Sequence, residues 1–149
     1  MITDSKVVSS ELSGTDKHRV LVVDDEKAIR AVFQQILSYG LSDCRVDLAV
    51  NGAEAVEAFR DVNYGLILMD LHMPVMDGER AFDEIMKICS SDSREMPSIV
   101  FCTGYIPSEN LRKIVSENPI HCILQKPISN DKLLETLKKR LACGDGEKE

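Results

Sequence analysis

Asp24, Asp25, Asp70, Thr103 and Lys126 are the residues whose types and placement could do chemistry. Asp70 directly follows the apolar run LILM at 66–69. A carboxylate there is costly unless something compensates its charge. The others also stand at the ends of apolar runs. Asp24-Asp25 follows RVLVV, Thr103 closes SIVFCT at 98–103, and Lys126-Pro127 follows HCILQ at 121–125. Singly, each has a bland reading: an acid at 24 or 25 can cap a helix, Thr103 suits a strand, and Lys126 suits a surface strand end. Together they are more specific. Three neighbouring carboxylates raise one another's pKa or collect a cation, and an all-oxygen donor set favours a hard ion, Mg²⁺ or Mn²⁺. A metal, an ammonium and a hydroxyl are what a phosphoryl group needs as charge builds on its equatorial oxygens. Asp70 between them is placed as a nucleophile that forms an aspartyl phosphate.

Such a set works only if the chain brings it together. Apolar runs that read as strands, near 19–24, 44–50, 66–70, 98–103 and 121–125, alternate with segments of helical spacing. Ala28, Val32 and Phe33 mark the first helix, and Leu133, Leu137 and Leu141 mark the last, entered through Ser129-Asn130 as caps. Another is expected near 108–117. The run at 66–69 shows no alternation, as a strand buried on both faces would. Five β-α units predict an α/β fold, a doubly wound parallel sheet with helices on both faces. Ligands of such sheets bind beyond the carboxyl ends of the strands, so the acids, the threonine and the lysine converge on one rim. The stretch from Met73-Pro74 to Asp77-Gly78 reads as a stiff turn into a helix.

A chain of 149 residues favours one domain. Residues 1–17 read as a flexible arm, 18–142 as the domain and 143–149 as a disordered tail. The net charge of −7 argues against a general nucleic-acid binder and suits a cation or a basic partner surface. The five cysteines are odd in number and form no C-x-x-C, so they read as reduced thiols. The start of the chain has no apolar signal-peptide region, and no apolar run approaches the roughly 20 residues of a membrane span. The expected location is the cytoplasm. His18 reads as a solvated tail residue and His121 as an ordinary strand-end residue.

VLVVDDE at 20–26, LILMDLHMPVMDG at 66–78, Thr103-Gly104 and Lys126-Pro127 together resemble the receiver domain of bacterial two-component response regulators. The resemblance covers about residues 19–141. It implies a flavodoxin-like, five-stranded sheet of order 2-1-3-4-5. It also implies phosphorylation of Asp70 from a phosphohistidine on a histidine kinase or histidine phosphotransfer protein. Asp25 and Asp70 would bind Mg²⁺ directly, Asp24 mainly through water, and the backbone carbonyl of His72 would complete the protein ligands. Lys126 would contact the phosphoryl group, with a cis peptide before Pro127. Such a domain is not an enzyme beyond its own aspartyl phosphorylation and dephosphorylation. Its output runs through an effector protein or onward phosphotransfer, from a monomer or a weak dimer formed on phosphorylation, with no direct contact to nucleic acid or membrane.

One position departs from the pattern. Receivers usually carry Tyr or Phe three residues before the lysine, where this chain has Ile123. Tyr105 is the nearest substitute for that ring or else an exposed loop aromatic; the resemblance implies that the side chain of His72 borders the path by which water reaches the acceptor, the other reading being a plain exposed histidine. Three rival readings fit the sequence less well. A phosphatase of the haloacid dehalogenase type needs a second Asp where His72 stands. A Rossmann-type nucleotide site needs a Gly-rich turn where DDEKAIR stands. A degenerate receiver that only binds partners would fit Ile123 but not the intact acid set.

Overall fold

The computed structural model describes residues 14–146. Its elements follow the expected alternation: β1 (Asp16–Val23), α1 (Lys27–Gly40), β2 (Arg45–Ala49), α2 (Gly52–Asp61), β3 (Tyr64–Met69), α3 (Gly78–Asp92), β4 (Ser98–Thr103), α4 (Glu109–Glu117), β5 (Cys122–Gln125) and α5 (Asn130–Gly146). The five strands form one parallel sheet of order β2-β1-β3-β4-β5. This is the flavodoxin-like order that the resemblance implies.

Successive strand side chains point to opposite faces, and the core divides accordingly. Leu21, Val23, Ile67, Met69, Ile99 and Phe101 bury one face under α2, α3 and α4, where Phe59, Phe82 and Leu111 cover them. Val20, Val22, Leu66, Leu68, Val100 and Cys102 bury the other under α1 and α5, where Leu37, Leu133 and Leu137 lie. Burial on both faces explains why the run at 66–69 has no polar partners in alternation. Each such side chain contributes roughly 1.5–3 kcal/mol when fully buried.

Helix starts are set locally. Asn51, Asp77, Ser108 and Ser129 accept hydrogen bonds from the backbone N–H three residues on, at 2.8–3.1 Å, satisfying donors that have no partner within the helix. Helix α1 differs: its N-cap is Glu26 and no side chain caps it there. The acids at 24 and 25 are therefore not the N-cap, although Oδ1 of Asp24 accepts the Glu26 N–H at 3.0 Å.

Several boundaries and two histidines differ from the sequence expectation; β3 spans Tyr64–Met69 rather than 66–70, and β5 begins at Cys122 rather than at residue 121. β1 begins at Asp16, so residues 16 and 17 belong to the sheet rather than to an arm; Asp16 donates its N–H to the Asn63 carbonyl at 2.8 Å. α5 runs through Gly146, past the expected boundary at 142/143. β2 begins at Arg45 rather than at residue 44. The remainder of the expected arm (1–13) and tail (147–149) lies outside the described residues. His18 stands in β1, with Nδ1 3.6 Å from an Asp43 carboxylate oxygen. His121 is buried, and its Nδ1 accepts the Ile99 N–H at 3.0 Å. Cys44, Cys89, Cys102 and Cys122 are free thiols, as expected. Among the described residues no helix is long and apolar enough to cross a membrane.

Candidate functional site

The sheet order makes β1 and β3 central neighbours, and their ends deliver the acids. Register pairs Val23 with Met69, and the Asp70 N–H donates to the Val23 carbonyl at 3.1 Å. Asp24 and Asp70 thus leave adjacent strands side by side. Carboxylate oxygens of Asp24, Asp25 and Asp70 all lie within 4.8 Å of one another. Asp24 is buried, Asp70 half-buried and Asp25 exposed, so the group opens to solvent on one side.

Lys126 arrives from the far edge of the sheet. Its N–H donates to the Thr103 carbonyl at 2.8 Å as β5 leaves its pairing with β4. Its Nζ then sits 3.5 Å from Asp24 Oδ2 and 3.8 Å from Asp70 Oδ2. The Lys126–Pro127 peptide is cis, as the resemblance implies. One ammonium thus faces two carboxylates, which answers part of the charge problem at Asp70. It does not answer all of it. Burial raises the Asp70 carboxyl above its ordinary value; Lys126 pulls it back, Asp24 pushes it up again, and the backbone N–H groups of His72 and Leu71 draw it down. Burial outweighs the ammonium, and a further cation among the oxygens would relieve what remains. Three carboxylates with no nitrogen or sulfur ligand among them suit a hard divalent ion.

Thr103 is fully buried at the end of β4. Its hydroxyl accepts the Tyr105 N–H at 3.1 Å, so in this conformation it is engaged within its own loop. Tyr105 lies on the surface with its ring 4.1 Å from that of His72. It does not occupy the place of the missing aromatic. That place belongs to Ile123, paired in register with Phe101 and partly buried against the α2–α4 side of the core.

Two supports were not legible in the sequence. Arg30 donates from Nη1 to the Asp24 carbonyl at 2.8 Å, anchoring the acidic turn from one helical turn further on. Gly78 lets α3 start against the Asp70 backbone: a Cβ there would collide with the Asp70 carbonyl oxygen. The Asp-Gly pair signals a turn, but the close approach depends on where α3 docks.

Comparison with known proteins agrees with this geometry. Residues 20–138 match the family described as response regulator receiver domain. The chemotaxis protein CheY of Bacillus subtilis is 32% identical over 124 residues, spanning 83% of this chain and 98% of that protein. A protein-glutamate methylesterase/protein-glutamine glutaminase of Aliivibrio fischeri is 43% identical over 86 residues, 56% of this chain but 21% of its own length. The chain spans about a fifth of the length of several curated relatives it matches, this one among them. The receiver domain of sensor histidine kinase PA1611 from Pseudomonas aeruginosa PAO1, solved with magnesium coordinated in its active site cleft, superposes with a TM-score of 0.67 at 25% identity, over 84% of this chain and 98% of that one. With the strand order, the acid cluster and the lysine in place, the match across residues 20–138 means that this chain belongs to the response regulator receiver domains of two-component systems.

Proposed function

We propose that the chain is a working phospho-acceptor: Asp70 takes a phosphoryl group from a phosphohistidine on a histidine kinase or histidine phosphotransfer protein, with Mg²⁺ bound at Asp24, Asp25 and Asp70. The observation that carries this reading is the position of Lys126 Nζ, within 4 Å of both Asp24 and Asp70 in a group of three converging carboxylates. A carboxylate oxygen of Asp70 attacks phosphorus; the phosphorus–nitrogen bond breaks, and its electron pair stays on the donor imidazole. Asp70 needs no general base, because it reacts as the carboxylate. Lys126 follows the phosphoryl oxygens as negative charge moves onto them. Mg²⁺, when bound, supplies the charge neutralisation that one ammonium cannot. Asp25 and Asp70 would hold it directly and Asp24 mainly through water, with the His72 carbonyl as the remaining protein ligand, as the family resemblance implies. Thr103 exchanges the Tyr105 N–H for a phosphoryl oxygen, to which its hydroxyl donates. The exposed His72–Tyr105 pair stands beside the water path to Asp70 and sets the lifetime of the phosphoryl group.

The protein has no catalytic turnover of its own beyond gaining and losing this group. It works in the cytoplasm, where its thiols stay reduced, and passes its state to an effector protein or the phosphoryl group onward. Acetyl phosphate with Mg²⁺ tests the reading. Mass spectrometry should find one added phosphoryl group, base-labile and located at Asp70, and Asp70→Asn should abolish it. Modification elsewhere, or none, would overturn it. No modification would favour the second reading, a receiver that only binds partners, for which Ile123 is the supporting observation.

A further inference from the structure

A second group of ligand-type side chains lies at the opposite end of the sheet from Asp70. His18 stands near the start of β1, and Asp43 and Cys44 close the turn between α1 and β2. A ring nitrogen of His18, a carboxylate oxygen of Asp43 and Sγ of Cys44 lie within 4.8 Å of one another. Nδ1 of His18 is 3.6 Å from Oδ2 of Asp43, and Sγ of Cys44 is 4.0 Å from Oδ1 of the same carboxylate.

These separations have a simple reading in coordination geometry. A tetrahedral ion with bonds of about 2.0–2.1 Å to nitrogen or oxygen and about 2.3 Å to sulfur sets its ligand atoms roughly 3.3–3.6 Å apart. The His18–Asp43 separation of 3.6 Å lies at the edge of that range; the Cys44 sulfur, 4.0 Å from the other Asp43 oxygen and within 4.8 Å of a His18 nitrogen, would have to come closer, and the exposed His18 and Asp43 side chains can turn towards it. The backbone is already arranged. Parallel pairing of β1 with β2 starts at Arg19 and Arg45, which places His18 beside Cys44. The Cys44 N–H donates to the Leu41 carbonyl at 2.9 Å, closing the turn. The His18 N–H donates to Oδ1 of Asp16 at 2.9 Å, which brings a further carboxylate alongside.

Metal binding at the sulfur would release the thiol proton to solvent. As a plain ion pair, exposed His18 and Asp43 would be worth little.

We propose that His18, Asp43 and Cys44 form a Zn²⁺ site. Imidazole, carboxylate and thiolate form a mixed nitrogen, oxygen and sulfur set, which suits Zn²⁺ and not Mg²⁺. The acid pocket, all oxygen, has the opposite preference. The site ties the start of β1 to the α1–β2 turn, so its effect is on the stability of that edge of the sheet. It takes no part in phosphoryl transfer.

The test uses the full chain in excess Mg²⁺, which fills the oxygen pocket, with a non-thiol reductant present. Co²⁺, the spectroscopic stand-in for Zn²⁺, should bind with one equivalent and give a thiolate-to-cobalt charge-transfer band that Zn²⁺ bleaches. Cys44→Ser should remove the band, and His18→Gln should weaken binding by at least roughly ten-fold. Zn²⁺ should raise the melting temperature of the wild type but not of Cys44→Ser. Cys44→Ser should still accept phosphate from acetyl phosphate, so this site and the phospho-acceptor reading fail independently. Absence of the band, a band that survives Cys44→Ser, or binding indifferent to His18→Gln would overturn the proposal.

Discussion

Asp70 is held in surroundings that work against its own charge. Burial and Asp24 outweigh the pull of Lys126, so its carboxyl is raised above the ordinary value of 3.8. The ionised group therefore costs stability at any pH above its folded pKa, and the cost disappears once pH falls below 3.8, where folded and unfolded chains are both protonated. Asp70→Asn should raise the melting temperature of the metal-free protein at neutral pH, and thermal melts should show the gain shrinking to nothing as pH approaches 3.8. A lower melting temperature at neutral pH would mean that the Lys126 pair outweighs burial. Val75 carries a different strain. Its φ is +69°, the Met76 N–H donates to the Pro74 carbonyl across it at 2.7 Å, and its side chain is 83% exposed, so no packing offsets the left-handed backbone. That conformation costs a residue with a Cβ about 1–2 kcal/mol, while glycine adds about 0.4–1 kcal/mol of unfolded-chain entropy. Val75→Gly should stabilise the fold by up to about 1.6 kcal/mol, read as a higher urea midpoint with an unchanged m-value.

At the scale of elements, His121 joins three of them. It immediately precedes β5, accepts the Ile99 N–H of β4, and sets its ring edge-on to Phe82 of α3 at 5.0 Å. Burial, then the Arg140 charge, lowers its pKa to about 4. The unfolded chain takes a proton near 6.5 and the folded chain only near 4, so stability held above 6.5 is lost as pH falls through that window. Between pH 7 and 5 this group alone should cost about 2 kcal/mol. His121→Asn keeps an acceptor for the Ile99 N–H but cannot titrate. Urea unfolding at the two pH values should show that much less pH dependence than the wild type, and equal dependence would refute the assignment. The sequence could not show this role, because the partners of His121 lie 22 and 39 residues away. The helix caps were legible at Ser129, where the capping side chain and its N–H are three residues apart. The start of β1 was misjudged because residues 16 and 17 are polar, and they enter the sheet through backbone pairing beside β3.

For the molecule as a whole, the acid cluster predicts linkage between metal and fold. Ligand that binds only the folded state stabilises it by about 2.7 kcal/mol at a concentration a hundredfold above Kd. Mg²⁺ should therefore raise the melting temperature of the chain, Asp25→Ala should abolish the rise, and Asp24→Ala should reduce it less; an unchanged melting temperature at saturating Mg²⁺, with no heat of binding in calorimetry, would count against the site. By itself the sequence determined the fold class and which residues gather at the carboxyl ends of the strands. Apolar runs and helical spacings record which faces are buried, and the type and order of Asp24, Asp25, Asp70, Thr103 and Lys126 carry the proposed chemistry. Tertiary structure alone decided their distances. Lys126 reaches Asp24 and Asp70 because sheet order sets β1 beside β3, and because β5 leaves the sheet at Thr103. It also decided that Thr103 is held by the Tyr105 N–H, that Tyr105 faces His72 rather than filling the place of Ile123, and that His18 meets Asp43 and Cys44. Apart from the Thr103–Tyr105 bond, which spans two residues, these contacts leave no local pattern, because they depend on pairing and packing between segments far apart in the chain.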